Sequence, residues 1–334
     1  MTPRPARGAA AWIAALALCG SACSPGAGVT AQEAVAVCEM AVPVAVLPAS
    51  LGEASGLTRD PRRPDLFWLH NDSGNEPLLF AVDTTGALLS TVRVTGASDR
   101  DPEDIALGRC GEGWCLHLGD IGDNSGVYPS VRVHRLPLPE LPAAGCSVPG
   151  DAASGDAEGG SAPPPGSCDQ VIAPLASWEL VYPDGPRDAE GLVVDDVHGE
   201  LLVVSKGREG RVQLYSVPLT DLETAAGATV TLRRVGSLAI PVGLHTSQLV
   251  TAADLSPDGR RLAIRSYVNL YLLNWRGSAA QDTSEAPAVA PLLPAFEPQG
   301  EGLSWAADGI TLYLASEGRD GRPPQLSRIR CPGP

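Results

Sequence analysis

Carboxylates recur along this chain in a pattern that could build one site. A short motif ending on an aliphatic residue appears five times, as E-A-S-G-L (53–57), D-P-E-D-I (101–105), D-A-E-G-L (188–192), T-A-A-D-L (251–255) and Q-G-E-G-L (299–303). It carries Glu53, Asp101, Glu103, Asp104, Asp188, Glu190, Asp254 and Glu301. Downstream of each copy stands a second polar group: His70-Asn71-Asp72, Asp120 with Asp123-Asn124, Ser205-Lys206, Arg265, and Ser316-Glu317. Hard oxygen donors of this kind suit calcium, which takes several oxygens in a flexible geometry. N-D-S-G-N (71–75) and G-D-I-G-D-N (119–124) supply closely spaced carboxylates and amides, although neither is an EF-hand loop. The candidate cation ligands are Glu53, Asn71, Asp72, Glu103, Asp120, Asp123 and Glu301. Lys206 and Arg265 break the repeat. With Glu190 as a base, they form a candidate catalytic set in which a bound cation polarises an ester and the two basic side chains orient an anion. Two carboxylates across one cavity could instead act as acid and base on a glycoside. Equally, acids at these positions could accept backbone amides of the next repeat, a packing device that every repeat needs.

These groups meet only if the repeats surround a common axis. After each motif come a turn and a second apolar strand: L-F-W-L (66–69), C-L-H-L (115–118), L-L-V-V (201–204), L-A-I (262–264) and L-Y-L-A (312–315). Third strands follow at 78–82, 131–136, 212–217, 270–275 and 325–329, and 88–94 and 228–235 alternate well enough to be fourth strands. Ser256-Pro257-Asp258-Gly259 has the chemistry of a tight turn. The anchors Leu57, Ile105, Leu192, Leu255 and Leu303 are 48, 87, 63 and 48 residues apart. The long interval holds a Gly-, Ala-, Ser- and Pro-rich insert at 143–167 that lacks the apolar surface to order itself. Without it, each interval suits one four-stranded blade. The expected fold is therefore an all-β, single β-propeller of five blades, or six if the region 143–183 contains an irregular blade. The last repeat lacks a fourth strand, which A-V-P-V-A-V-L (41–47) can supply from the N-terminal end. Strand one and strand two are antiparallel, so the acids and the second polar groups should gather at one mouth of the channel.

The cysteines agree with that closure. Cys19 and Cys23 lie in the N-terminal segment, and the other six of eight pair as Cys38–Cys331, Cys110–Cys115 and Cys146–Cys168, one arrangement among several that six cysteines allow. Such pairs belong in an oxidising compartment. Arg4 and Arg7 followed by apolar Ala9 to Leu18 read as a signal peptide over 1–23, with 24–37 as a linker and 38–334 as the propeller. Small residues before Cys23 resemble a bacterial lipoprotein cleavage site, with lipidation at Cys23; ordinary secretory cleavage is the alternative. A net charge of −15 argues against a nucleic-acid partner. The five histidines show no metal-ligand spacing, and no G-x-S-x-G elbow or phosphate loop occurs.

L-S-P-D-G-R-R-L-A (255–263) resembles the repeat of TolB-type and related periplasmic propellers. The ordered set E-A-S-G-L, H-N-D-S-G-N, P-E-D-I-A, G-D-I-G-D-N, A-E-G-L, A-D-L-S-P-D-G and G-E-G-L-S-W resembles a group of exported bacterial propellers similar to the phytase-like esterase propellers. The resemblance covers most of residues 50–320. It implies calcium-assisted hydrolysis of an ester or phosphoester in the channel mouth. Two expectations result. The first is an exported, monomeric binding or scaffold module of the cell envelope, with calcium as its only cofactor and a small molecule or an envelope protein as partner. It would meet the membrane only through Cys23. The alternative is a calcium-assisted hydrolase of a small ester or phosphoester.

Overall fold

Short runs of Val, Leu and Ile cut by Gly- and Asp-bearing turns favour consecutive antiparallel strands. In the computed structural model, which describes residues 38–97, 100–141, 169–225, 227–243 and 246–332, those strands form five sheets set around one axis. The chain begins at the end of the ring: β1 (Val42–Val46) pairs antiparallel with the last strand of blade 5. Blade 1 runs outward from the axis as β2 (Ala54–Arg59), β3 (Leu66–Asn71), β4 (Leu78–Asp83) and β5 (Leu88–Val94). Blade 2 starts with β6 (Pro102–Cys110), β7 (Gly113–Asp120) and β8 (Val131–Pro137). The chain then crosses back. β9 (Asp169–Ile172) lies parallel to β5 on the outside of blade 1, and β10 (Ala176–Val181) returns as the fourth strand of blade 2.

Blade 3 repeats the manoeuvre. After β11 (Ala189–Asp195), β12 (Glu200–Ser205), β13 (Gln213–Pro218) and a short helix α1 (Leu219–Thr224), β14 (Thr229–Thr231) pairs parallel with β10 on blade 2. β15 (Arg233–Ser237) then completes blade 3. Blade 4 is β16 (Val250–Leu255), β17 (Arg261–Ser266), β18 (Asn269–Asn274) and β19 (Ala288–Pro291). Blade 5 is β20 (Gln299–Trp305), β21 (Thr311–Glu317) and β22 (Gln325–Arg330), closed by β1.

The blade number is five. Among the described residues, the 143–183 region supplies β9 and β10 to blades 1 and 2 rather than a sixth sheet. The segment 228–235, expected as one strand, is divided: 229–231 joins blade 2, and the chain from 233 joins blade 3. Each seam between blades is packed by facing apolar side chains. Leu66, Trp68, Leu79, Ile105, Leu116 and Leu118 fill the seam between blades 1 and 2, and Leu270, Ala290, Leu303, Trp305 and Leu312 the seam between blades 4 and 5. The turn at 256–259 forms as its sequence predicts, with Gly259 at φ +70° and its N–H donating to the Ser256 carbonyl at 2.8 Å.

Cys38–Cys331 joins the first and last described stretches, with Cα atoms 4.0 Å apart, and Cys110–Cys115 closes the β6–β7 hairpin. Both pairs suit an oxidising compartment. Among the described residues no helix is long and apolar enough to cross a membrane. The signal peptide 1–23, lipidation at Cys23, the linker 24–37, the Cys146–Cys168 pair and the insert 143–167 all lie outside the described residues.

Candidate functional site

Each inner strand carries a one-residue irregularity close to its start. The pairing with the second strand shifts between Ala54 and Leu57, Pro102 and Asp104, Ala189 and Gly191, Val250 and Ala252, and Gly300 and Gly302. A β-bulge leaves one residue unpaired and re-aims its side chain. In register, the bulged residues are Ser55, Glu103, Glu190, Thr251 and Glu301. Opposite the strand starts, where the second strands end, stand Asp72, Ile121, Lys206, Tyr267 and Glu317.

This register corrects the alignment of blade 4. Ala253, rather than Leu255, occupies the place of Leu57, Ile105, Leu192 and Leu303. Asp254 is therefore further down the channel, where its carboxylate accepts the Trp305 N–H at 2.7 Å and the Leu255 N–H at 2.8 Å. Blade 4 offers Thr251 and Tyr267 to the mouth, and no acid.

Five carboxylates from three blades come together. Oxygens of Asp72, Asp101 and Glu103 lie within 4.8 Å of one another, and so do those of Glu103, Asp188 and Glu190. Glu103 belongs to both groups. Ligands bound to one calcium ion at its usual distances are separated by at most about 5 Å, so either group fits a shared cation. Two basic side chains face the five acids: Lys206 is ion-paired with Glu190, and Arg208 with Asp188 while also donating to the Asn124 side chain. Gly122 permits the close approach, because a Cβ there would stand 2.4 Å from Glu103 Oε1 and 2.5 Å from Asp101 Oδ2. Thr251 is buried, and its Oγ1 has no hydrogen-bond partner among the described residues.

The electrostatics follow from crowding acids in a dry ring. Burial, followed by the Glu190 charge, raises the Glu103 carboxyl well above its ordinary value, and burial does the same to Glu190 despite Lys206. Asp101 is raised by burial and then by Asp72. Burial pushes Glu301 up to about 7 and Glu317 up to about 8. Burial works against a charged Lys206, but Glu190 and Glu103 outweigh it and hold its pKa high, so it stays an ammonium ion. A ring in this state gains from any positive charge that enters it.

Among the sequence candidates, Asp72, Glu103, Glu190 and Lys206 meet here, and Glu301 stands close enough for its charge to act on Glu190 and Tyr267. Glu53 is exposed and accepts the Asn75 side-chain amide at 2.5 Å. Asn71 donates to the Ser50 carbonyl at 2.8 Å. Asp120 accepts the Asp101 N–H at 2.7 Å, and Asp123 accepts those of Val127 and Tyr128 at 3.0 and 2.8 Å, so these two acids shape the loop after β7. Arg265 points into the seam between blades 4 and 5. It is fully buried there, donating to the Gly302 and Ala315 carbonyls and to Glu297 Oε2 at 2.6 Å.

Sequence reasoning missed Tyr267, Arg208, Gly122 and Thr251. Tyr267 had a signal: Ser205-Lys206, Ser266-Tyr267 and Ser316-Glu317 are the same dipeptide position in three blades.

No protein-family model matches the chain. The search of curated proteins also returns no match. Among solved structures, a chain from the crystal structure of a nidogen/laminin complex is similar at 14% identity and a TM-score of 0.40, covering 79% of this chain and 72% of that one. The resemblance to TolB-type and phytase-like propellers therefore rests on the motifs alone.

Proposed function

We propose that this chain is an exported propeller whose channel mouth binds a divalent cation, calcium by the chemistry of its donors, and that it serves as a binding module in the cell envelope. The observation that carries this reading is Glu103, a buried carboxylate shared by two three-acid groups with too little positive charge nearby to balance them. Carboxylate oxygens without sulfur or imidazole suit a hard cation. Two disulfides and the N-terminal signal features support an oxidising destination. The partner that fits is a small molecule or an envelope protein, met by a monomer. The acidic surface disfavours nucleic acid.

Hydrolysis of an ester or phosphoester finds less support. Of the two side chains meant to orient an anion, Arg265 is enclosed between blades and Lys206 is engaged by Glu190.

The test is thermal melting in EDTA and then in millimolar calcium. At one hundred times its dissociation constant a ligand stabilises the folded state by about 2.7 kcal/mol, enough to raise the melt by several degrees. Glu103→Gln should remove most of that rise and leave the EDTA melt unchanged or higher, since it relieves repulsion. If wild type shows no rise and a cooperative melt, the ring is a packing device and the cation reading fails.

A further inference from the structure

The channel has a second end, away from the acidic mouth. Asp104 of blade 2 accepts the Leu192 N–H of blade 3 at 2.9 Å and comes within 3.4 Å of the Ala253 N–H of blade 4, so a side chain stands across the channel between the two ends. Beyond it, where β2, β11 and β16 finish, lies an open cavity of about 80 Å³. At about 10–15 Å³ for each water-sized group, it takes a ligand of roughly five to eight heavy atoms. Leu107, Val194, Val197 and Pro257 form an apolar side, and Trp114 stands with them, the Arg109 guanidinium 3.8 Å over its ring. Arg59, Asp195, Asp196 and Asp254 line the same cavity. Two of these charges are engaged: Asp254 by the Trp305 and Leu255 N–H groups, and Asp195 by His198 and by the Trp275 indole N–H at 2.6 Å. The other two have capacity to spare. Arg59 is half-buried and close enough for its charge to act on Asp254, yet among the described residues its guanidinium makes no ion pair or hydrogen bond. Asp196, on the exposed turn after β11, accepts only the Arg109 N–H among the described residues, at 2.9 and 3.2 Å from its two oxygens.

We infer that this second mouth binds a small zwitterion, an aliphatic α-amino acid, with its carboxylate on Arg59 and its ammonium on Asp196. A cation and an anion that line one cavity without pairing to each other call for a ligand of both signs. A ligand of one sign leaves the opposite wall facing a like charge or none. The planar guanidinium offers a carboxylate two parallel hydrogen bonds, and the free lone pairs of Asp196 accept from an ammonium. The apolar side then takes the alkyl group, which the volume holds to about the size found in alanine or valine. None of the five clustered acids lines this cavity, so the site is independent of the cation reading.

The experiment is calorimetric titration of the full-length protein, in EDTA and again in calcium, with alanine, valine and phenylalanine. Two relatives of alanine that keep a single charge, propionate and ethylamine, complete the series. Alanine and valine should bind alike in both buffers. Propionate and ethylamine should each bind about tenfold more weakly or worse, since each lacks one charge-assisted contact. Phenylalanine should be shut out by its size. Arg59→Gln and Asp196→Asn should each weaken alanine by a similar factor while the melting temperature holds. Should either variant fail to fold, the ligand series on the wild-type protein decides alone. No heat with millimolar alanine or valine overturns the site, and so does unchanged alanine affinity in Arg59→Gln. Propionate or ethylamine binding as well as alanine overturns the zwitterion, and phenylalanine doing so overturns the size limit. Binding that vanishes in EDTA assigns the ligand to the acidic mouth and overturns this placement.

Discussion

A carboxyl group in a nearly dry ring of like charges keeps its proton to a higher pH than it would in water. Burial, followed by the Glu301 and Asp72 charges, takes Glu317 up to about 8, and burial takes Glu301 up to about 7 against the pull of Lys206. Both stand above the ordinary glutamate value of 4.5, so over this interval the folded chain holds protons that the unfolded chain releases. Stability from this source is complete below the ordinary carboxylate range and is lost as pH climbs through the two raised values. In EDTA, the melting temperature should therefore fall between about pH 5 and about pH 8. A cation held by Glu103 and its neighbours competes with the protons that burial keeps on Glu103 and Glu190, so its stabilising shift should be larger at the upper end. A flat or rising EDTA profile would contradict the account. The acids of this ring were legible from residue types in a repeated frame, and so was Lys206 as a break in that frame. Arg208 was not, because a second arginine acquires a role only when the fold brings it to the mouth. Tyr267 carried a signal in the Ser266-Tyr267 dipeptide, which is recognised only once blade 4 is aligned correctly.

At the scale of elements, the bulge decides which side chain faces the axis. All five inner strands could be read from the sequence, since an aliphatic anchor after a turn-flanked polar run is a local signal. Blade 4 was misread because Leu255 imitates that anchor two residues beyond the true one, Ala253. β9 and β14 were beyond reach: D-Q-V-I and T-V-T are short, and their parallel partners lie far away in the chain. Arg265 shows how a basic residue in the right stretch can serve a neighbouring blade instead. Its guanidinium is 0% exposed and faces Glu297, so Arg265→Ala leaves a buried carboxylate unpaired. Removing one member of a buried pair costs about 3–5 kcal/mol. Urea unfolding of that variant should show a loss of this size, with the calcium shift of the folded protein retained. A loss under about 1 kcal/mol would mean that Glu297 finds water or another partner.

For the molecule as a whole, closure is the main energetic question, because a ring open at one seam exposes two apolar blade faces. Two devices meet at that seam: β1 on β22, and the disulfide between residues 293 apart in sequence. A native cross-link of this kind is worth about 2–5 kcal/mol, mainly by restricting the unfolded chain. Cys331→Ser should lower stability by that amount in denaturant titrations, while the short Cys110–Cys115 loop should matter less when cut. Equal losses from the two would argue against the ring-closing role. The seams between blades 1 and 2 and between 2 and 3, which β9 and β14 cross a second time, join the three blades that bear the five clustered acids. The same layout sets an order of assembly. A chain growing from its N-terminus makes β1 first, yet β1 has no partner until Gln325–Arg330 has been made. Blade 1 waits for residue 172 and blade 2 for residue 231 before their sheets are whole. Contacts so distant in sequence make for slow folding. The ring cannot be built blade by blade as it emerges: its first strand is among the last to find its place.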